Sequence, residues 1–351
     1  MRALGTLGFV MVSVFVACGS SGSGSNSGSS GGGSSSSGGT SSGGSSSGSS
    51  GGTSSGVTNG PVPTIGGCAI FPVDNAWNTR VDDPTTWPVD PSSATYIANM
   101  AATTHIHPDW GDYSPDGYGI PWTTVPSTQP GVAITFTQSA SQSDPGPYPI
   151  PPNAEVEGDG QSGDQHVLVL QTGTCKLFEM WQSSYTNPGW SCGSGAIFDL
   201  GSDTLRQDGW TSADAAGLPI LPGLVKLSEV QAGAINHAIR FTMDKTQQGY
   251  IHPATHAAGT ANTSLPPMGL RLRLTASFDT SSFTGPSLVV VTALKQYGAL
   301  LADNGSNWYF SGDSDNGWTS DMMGDLNSQL ENVKGSDFEV VQTGTISTAG
   351  L

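Results

Sequence analysis

Several short stretches carry acidic, basic and imidazole side chains at spacings that could do chemistry. In NAEVEGDG, Glu155 and Glu157 alternate, so both point to one side if the segment is extended. Asp164 and His166 repeat the pattern in DQHVLVLQ, and Glu179 faces outward from the following CKLFEMWQ. Cleavage of a glycosidic bond needs two carboxyl groups, one kept protonated by burial and one ionised. A concave sheet presenting Glu157, His166 and Glu179 together would supply them, with Glu157 and Glu179 as acid and base or nucleophile. Taken singly, each of these residues also fits the polar half of a half-buried strand. His237 and Arg240 fall one turn apart if their segment is helical, on a face that is otherwise apolar. A hydrogen-bonded core histidine is the plain reading there, while the arginine could fix a carboxylate or polarise a substrate oxygen. With His166 these two would orient a substrate, and Asp303 is a further candidate at a helix end beside Trp308.

Aromatic residues concentrate in polar turns. Of nine Trp and eight Tyr, Trp110, Trp308 and Tyr309 stand near Asp, Asn and Gly, and Trp122 and Trp181 near Thr, Gln and Ser. An apolar ring face beside hydroxyl-binding groups is what stacking on a sugar requires, so these five are the candidate substrate platforms.

Other motifs are weaker. Gly189-Trp-Ser-Cys-Gly193 matches the G-x-S-x-G pattern of serine hydrolases, but GSGAIFDL after it reads as a strand where that chemistry needs a helix. His105 with His107, and His252 with His256, have metal-ligand spacings, yet Pro253 breaks the helix that would align the second pair. No transition metal is expected. Asp313, Asp315 and Asn316-Gly317 resemble a calcium loop one residue short of the usual spacing, so structural calcium stands against a solvated turn. No other cofactor is implied.

The elements that must position these groups are mostly strands. GVAITFTQS, DQHVLVLQT, CKLFEMWQ, GLRLRLTASF and FEVVQTG alternate or run apolar between turn residues. DQHVLVLQTGTCKLFEMWQ reads as a hairpin across Thr172-Gly173-Thr174. Helices are expected over EVQAGAINHAIRFTM with Ser228 as N-cap, over VVVTALKQYGALLADNG, and over SDMMGDLNSQLENV. The sum is a mainly-β domain, a sandwich or jelly-roll-like sheet pair with a few packed helices.

Residues 1–17 hold one positive charge, Arg2, and an apolar run ending in a small residue before Cys18, too short to span a bilayer permanently. Val16, Ala17 and Cys18, after Phe15, resemble a bacterial lipoprotein signal, which implies cleavage and acylation at Cys18. Gly19 resembles the residue at this place in lipoproteins sent to an outer membrane. From there to residue 60 the chain is almost only Ser, Gly, Thr and Asn, a disordered tether with a span of about 35 Å. Residues 61–351 contain no internal linker or repeat and read as one domain.

Lys and Arg number 11 against 28 Asp and Glu, a net charge of −17. Such a field repels nucleic acid, anionic headgroups and polyuronates. The expected partner is a neutral polysaccharide or cell-surface glycan, with the membrane reached only through the lipid anchor and the domain facing periplasm or exterior. Among Cys68, Cys175 and Cys192, the short loop favours a Cys175–Cys192 disulfide, with Cys68–Cys175 as the alternative. FPVDNAWNT, SDPGPYPIP, GWTSADAAGLPILPGLV, AINHAIRF, PPMG and ADNGSNWY resemble a group of secreted proteins of soil bacteria. That resemblance implies a single autonomous domain and no particular reaction. The expectation is therefore a surface-tethered glycoside hydrolase, with a non-catalytic glycan-binding or adhesive protein and a polysaccharide lyase as rivals. A lyase would lean on Arg206, Arg240, Arg271 and Arg273 as a basic patch.

Overall fold

Period-two alternation outweighs helical spacing over most of the chain, and the computed structural model turns it into a mainly-β domain with few helices. The structure describes residues 58–112, 118–161 and 163–351, all within the compact unit Ser54–Leu351. The signal-like segment, Cys18 and the tether up to residue 57 lie outside the described residues. Among the described residues no helix is long and apolar enough to cross a membrane.

In chain order the strands begin with β1 (Thr64–Ile65), β2 (Cys68–Ala69), β3 (His107–Gly111), β4 (Trp122–Val125) and β5 (Ile134–Phe136). A contiguous run follows: β6 (Val167–Gln171), β7 (Lys176–Trp181), β8 (Ser184–Thr186), β9 (Gly189–Cys192) and β10 (Ser194–Asp199). The last are β11 (Ile239–Met243), β12 (Arg271–Leu274), β13 (Ala299–Asn304), β14 (Tyr309–Ser314) and β15 (Phe338–Val341). The helices are α1 (Ser93–Asn99), α2 (Leu227–Ala232), α3 (Gly285–Gln296) and α4 (Ser320–Leu330).

Three larger sheets result, ordered β15-β12-β13-β11-β14-β3, β10-β7-β6-β4 and β5-β9-β8. The expected hairpin is present as β6–β7, pairing Val169 with Phe178 and Leu168 with Glu179. Its two faces serve two cores. Leu168, Leu170 and Leu177 join the large cluster shared with the six-stranded sheet. Val167, Val169, Phe178 and Met180 join a smaller one with Trp190 and Cys192 of β9.

The six-stranded sheet is sharply two-faced. Phe241, Phe310 and Phe338 stack with Trp308 on the apolar side, while α1, α3 and α4 pack against β15, β12 and β3. Neighbour registers put His107, Asp109, Ser311, Tyr309, Arg240, Arg271, Arg273 and Glu339 on the other side. A loop covers one end of that polar face, because Arg271 donates to the carbonyls of Ala76 and Thr79 and Arg273 to those of Val81 and Trp87. The other end, around Arg240 and Asp109, receives side chains instead.

Three expectations change. The segment 229–243 is helical only in α2, which Gly233 ends in the left-handed region at φ 84°. Residues 239–243 are the central strand β11, so His237 and Arg240 do not share a helix. The second helix likewise stops at Gln296, and Ala299–Asn304 pairs parallel to β11. The disulfide joins Cys68 to Cys175 with Cα atoms 5.4 Å apart, and Cys192 is a buried free thiol. Cys175 precedes the start of β7 while Cys192 lies near its far end, beside the Ser194–Trp181 pair. Six residues at about 3.3 Å each separate those ends by about 20 Å, beyond a disulfide's reach.

Candidate functional site

Three strands lay Asp109, Ser311 and Arg240 side by side across the polar face. Asp109 pairs with Ser311 in parallel register, and Ser311 Oγ accepts from Arg240 Nη1 at 2.5 Å. A register shift after Phe241 sets Asp303 opposite Thr242. That bulge turns the Asp303 carboxylate toward Arg240, 3.6 Å away, where unbroken register would put Ala302. Asp214, from the loop before α2, clasps the same guanidinium through Nε at 2.8 Å and Nη2 at 2.5 Å. Its side chain is wholly buried, so the arginine's charge is fixed in place.

The second group comes from the chain just before β6. A one-turn helix starting at Glu157, with Gly158 and Asp159 in the left-handed region, replaces the expected extended segment. This turn brings Glu157 back over His166. Its Oε2 accepts from His166 Nδ1 at 2.8 Å and from the His166 backbone N–H at 3.2 Å. Nε2 lies 3.3 Å from the carbonyl of Ala213, so both ring nitrogens face acceptors and the ring is an imidazolium. Asp164, exposed, accepts from Trp181 Nε1 at 3.2 Å.

The electrostatics separate these carboxyls. Burial disfavours the charge of Glu157, but His166 outweighs it and holds the carboxyl below its ordinary range. Burial also disfavours charge on His166, yet Glu157 raises it to about 9. Asp109 moves the other way: burial, with the Glu157 and Asp164 charges added, lifts it to about 7 against the pull of Arg240. Among the described residues none donates a hydrogen bond to it. Asp303 is raised well above the ordinary value, by burial first and then by Asp214. At neutral pH Glu157 is therefore ionised, while Asp109, at about 7, is near the middle of its titration.

Aromatic rings rim the same face. His107 stacks on Tyr309 with ring centroids 4.1 Å apart, and Tyr118 meets His107 edge-on. Burial lowers the His107 pKa, so this ring is neutral at pH 7.

Of the residues expected from sequence, Glu157, His166, Arg240 and Asp303 come together. Glu179 lies wholly inside the protein, accepting from the backbone N–H groups of Ile220 and Leu221 at 2.9 Å each. It fixes that turn. His237 sits apart, with Nε2 3.1 Å from Glu229 and Lys226 beside them. Burial opposes the Glu229 charge, but Lys226 and His237 hold it down to about 2. Trp110 and Trp308 are core residues with 2% and 0% exposure and cannot stack on a sugar. Trp122, Trp181 and Tyr309 are half-buried. Ser191 sits on β9, which leads into β10, without the strand-to-helix turn a nucleophile elbow needs. His252 pairs with Asp208 at the surface and His256 bonds the carbonyl of Ala215. Asp313 accepts from Leu227 N and Trp318 Nε1, which leaves it buried in place of a calcium loop. Among the described residues no three metal-ligating side chains converge.

Asp109 and Asp214 are the residues that sequence reading missed. His107-x-Asp109 alternates within HPDWG, which was a signal; Asp214 in SADAAG gave none. Compared with protein-family models, curated proteins and solved structures, the chain shows no match, so the geometry carries the functional reading alone.

Proposed function

We infer that the protein is a carbohydrate-active enzyme that hydrolyses glycosidic bonds of a large, neutral polysaccharide. The observation that carries this reading is the opposed protonation of two carboxyl groups at one polar sheet face, Asp109 held to about 7 and Glu157 held low. Environments that push paired acids apart assign the roles: Asp109 donates a proton to the leaving oxygen, and Glu157 acts as base or nucleophile. Arg240, fixed by Asp214, supplies positive charge beside them. Tyr309, His107 and Trp181 offer ring faces for the sugar. Lipidated Cys18 and the tether would hold the enzyme at an outer membrane or cell surface, where a long reach suits an immobile polymer.

The arginines weigh against a lyase. Arg206 is spent on Asp144 and the carbonyls of Thr211 and Gln142. Arg271 is spent on backbone carbonyls and Arg273 on Glu339 and carbonyls. Glu157, held low, and the carboxyls of Asp164 and Asp214 face Arg240 and His166 across the site, and Asp109 and Asp303 add acidic groups rather than cations there, which disfavours a uronate. A non-catalytic glycan-binding protein could use the same aromatic rim, but would have no need of two acidic groups with opposed shifts on that face.

The purified chain incubated with a polysaccharide panel should release reducing ends without unsaturated products. Asp109→Asn and Glu157→Gln should each lower turnover a hundredfold or more, the order expected for lost general acid or base help. Unchanged rates in both would reject the assignment. Absorbance from unsaturated products would favour the lyase, and retention of a glycan without any product would favour the binding protein.

A further inference from the structure

A second recess opens on the outer edge of β10, away from the polar sheet face. Its volume is about 300 Å³, and Phe71, Asp144, Phe198, Leu205, Arg206 and Trp210 are among its walls. A smaller cavity shares Phe71, Phe198 and Arg206, so residues 202–207 form a strap between the two. The strap is pinned at both ends. Asp203 accepts from Asn75 Nδ2 at 2.6 Å, and Arg206 donates to Asp144 at 2.5 Å.

The walls are held at a cost in strain. Phe71 has φ 65°, a region that bulky side chains avoid. Buried Asn78 keeps it there by donating to the carbonyls of Ile70, Phe71 and Pro72. Such over-determined strain gathers at ligand clamps.

The chemistry of the lining selects a ligand class. Among the described residues Arg206 is the only cation in the walls, and each of its guanidinium nitrogens already donates to protein: Nε to Thr211 O, Nη1 to Asp144 and Nη2 to Gln142 O. It also lies 5.7 Å from the ring centroids of both Phe198 and Trp210. Three of its five N–H groups are thus bound to protein, and Asp144 and Asp199 beside it would repel an anion. Apolar faces from Trp210 and the 42%-exposed Leu205, next to carboxylate and hydroxyl acceptors, suit a neutral polyhydroxylated ring.

One short segment joins this recess to the candidate site. Trp210 lines the recess, Ala213 O faces His166 and Asp214 clasps Arg240. We propose that the recess is a second glycan-binding subsite, which holds a neutral sugar unit of the polymer apart from the reacting centre; this rests on the carbohydrate reading above.

Calorimetry of the full chain carrying Asp109→Asn, which slows turnover, tests it with cellohexaose, xylohexaose and maltohexaose, and with an oligogalacturonate of equal length. At least one neutral hexasaccharide should bind, and adding Trp210→Ala or Leu205→Ser should weaken it tenfold or more. Leu205 is exposed, so Leu205→Ser keeps the fold, which a thermal melt verifies. Unchanged affinity in both variants overturns the subsite, as does tighter binding of the oligogalacturonate. Hydrolysis by the wild type would then still support the catalytic reading. If the wild type neither binds nor cleaves a glycan, both fall together.

Discussion

His166 should lose its contribution to stability as the pH rises, over a window set by its burial and by the Glu157 carboxylate. Its pKa is raised from 6.5 to about 9 in the fold, because the Glu157 carboxylate 2.8 Å away outweighs the burial that opposes charge. The sign follows from linkage: a group whose folded pKa is raised stabilises fully below its unfolded pKa and stops doing so above its folded one. The stabilisation is thus complete below about pH 6.5 and gone above about pH 9. At about 1.4 kcal/mol per pH unit, the gap is worth on the order of 3 kcal/mol. Asp109 and Glu179, both raised to about 7, make the fold less stable as pH climbs from their unfolded values to about 7, then add nothing. The interval from about pH 7 to about pH 10 therefore isolates His166 from those carboxyls. Denaturant titrations of wild type and Glu157→Gln across it should show their stability difference shrinking by that amount. The imidazole signal in an NMR titration should move near pH 9. A midpoint at or below 6.5, or a wild-type-to-variant gap constant with pH, would refute the imidazolium. The assignment of Glu157 as the ionised partner would go with it.

Glu179→Gln should lower the melting midpoint by several degrees, as the new amide can no longer accept all the backbone N–H bonds from Ile220 and Leu221, a loss of about 1–3 kcal/mol. Non-reducing peptide mapping should find Cys68 joined to Cys175, and Cys68→Ser should cost about 2–4 kcal/mol, while Cys192 should react with thiol reagents only on unfolding. A chain beginning at residue 61 should be less stable by about 1 kcal/mol than one beginning at 58. The longer chain keeps the bonds of Asn59 to Val73 O and Arg80 N and of Gly60 N to the Tyr297 hydroxyl, so equal denaturation midpoints would count against this boundary. Labelling with a palmitate analogue should mark the wild type and not Cys18→Ala.

Where local pattern decides structure, the sequence was legible. The β6–β7 hairpin follows from apolar alternation on both sides of Thr172-Gly173-Thr174, and α4 from its spacing with Thr319 capping Met322 N. Segment 229–243 was not legible, because it satisfies both periods: Val230, Ala234, His237 and Phe241 at helical spacing, Ile239, Phe241 and Met243 at strand spacing. Pairing with β13 and β14, about 60 residues away in the chain, chooses the strand. The site shows the same division. Glu157 and His166 are near in sequence and were found together, though a left-handed turn joins them where a strand was expected. Asp109 gains its place only from the parallel pairing of β3 with β14, and Asp214 only from a loop folded over β11. The disulfide needed register too, since loop length alone favours the wrong partner of Cys175.

The segment from Trp210 to Asp214 bridges the six-stranded sheet and the chain leading into β6, and it explains why charge is buried there. Ser212 Oγ donates to the carbonyl of Leu218 at 2.6 Å and Thr211 Oγ1 to that of Asp214 at 2.9 Å, so the loop is braced within itself. Asp214 then carries that brace onto Arg240 of the central strand, and Ala213 O onto His166 of the second sheet. A buried ion pair of this kind gains little net stability, because desolvation offsets much of its attraction. What it does fix is position. Arg240 cannot rotate without leaving Asp214 uncompensated, so its charge stays aimed at Asp109 and Asp303, the two carboxyls that need a cation nearby yet take no bidentate bond from it. A well-packed apolar pair could hold the strands together equally well, but would leave Asp109 and Asp303 without the cation that limits the rise in their pKa values. The burial of these charges is therefore better understood as fixing the position of Arg240 beside Asp303 than as support for the fold.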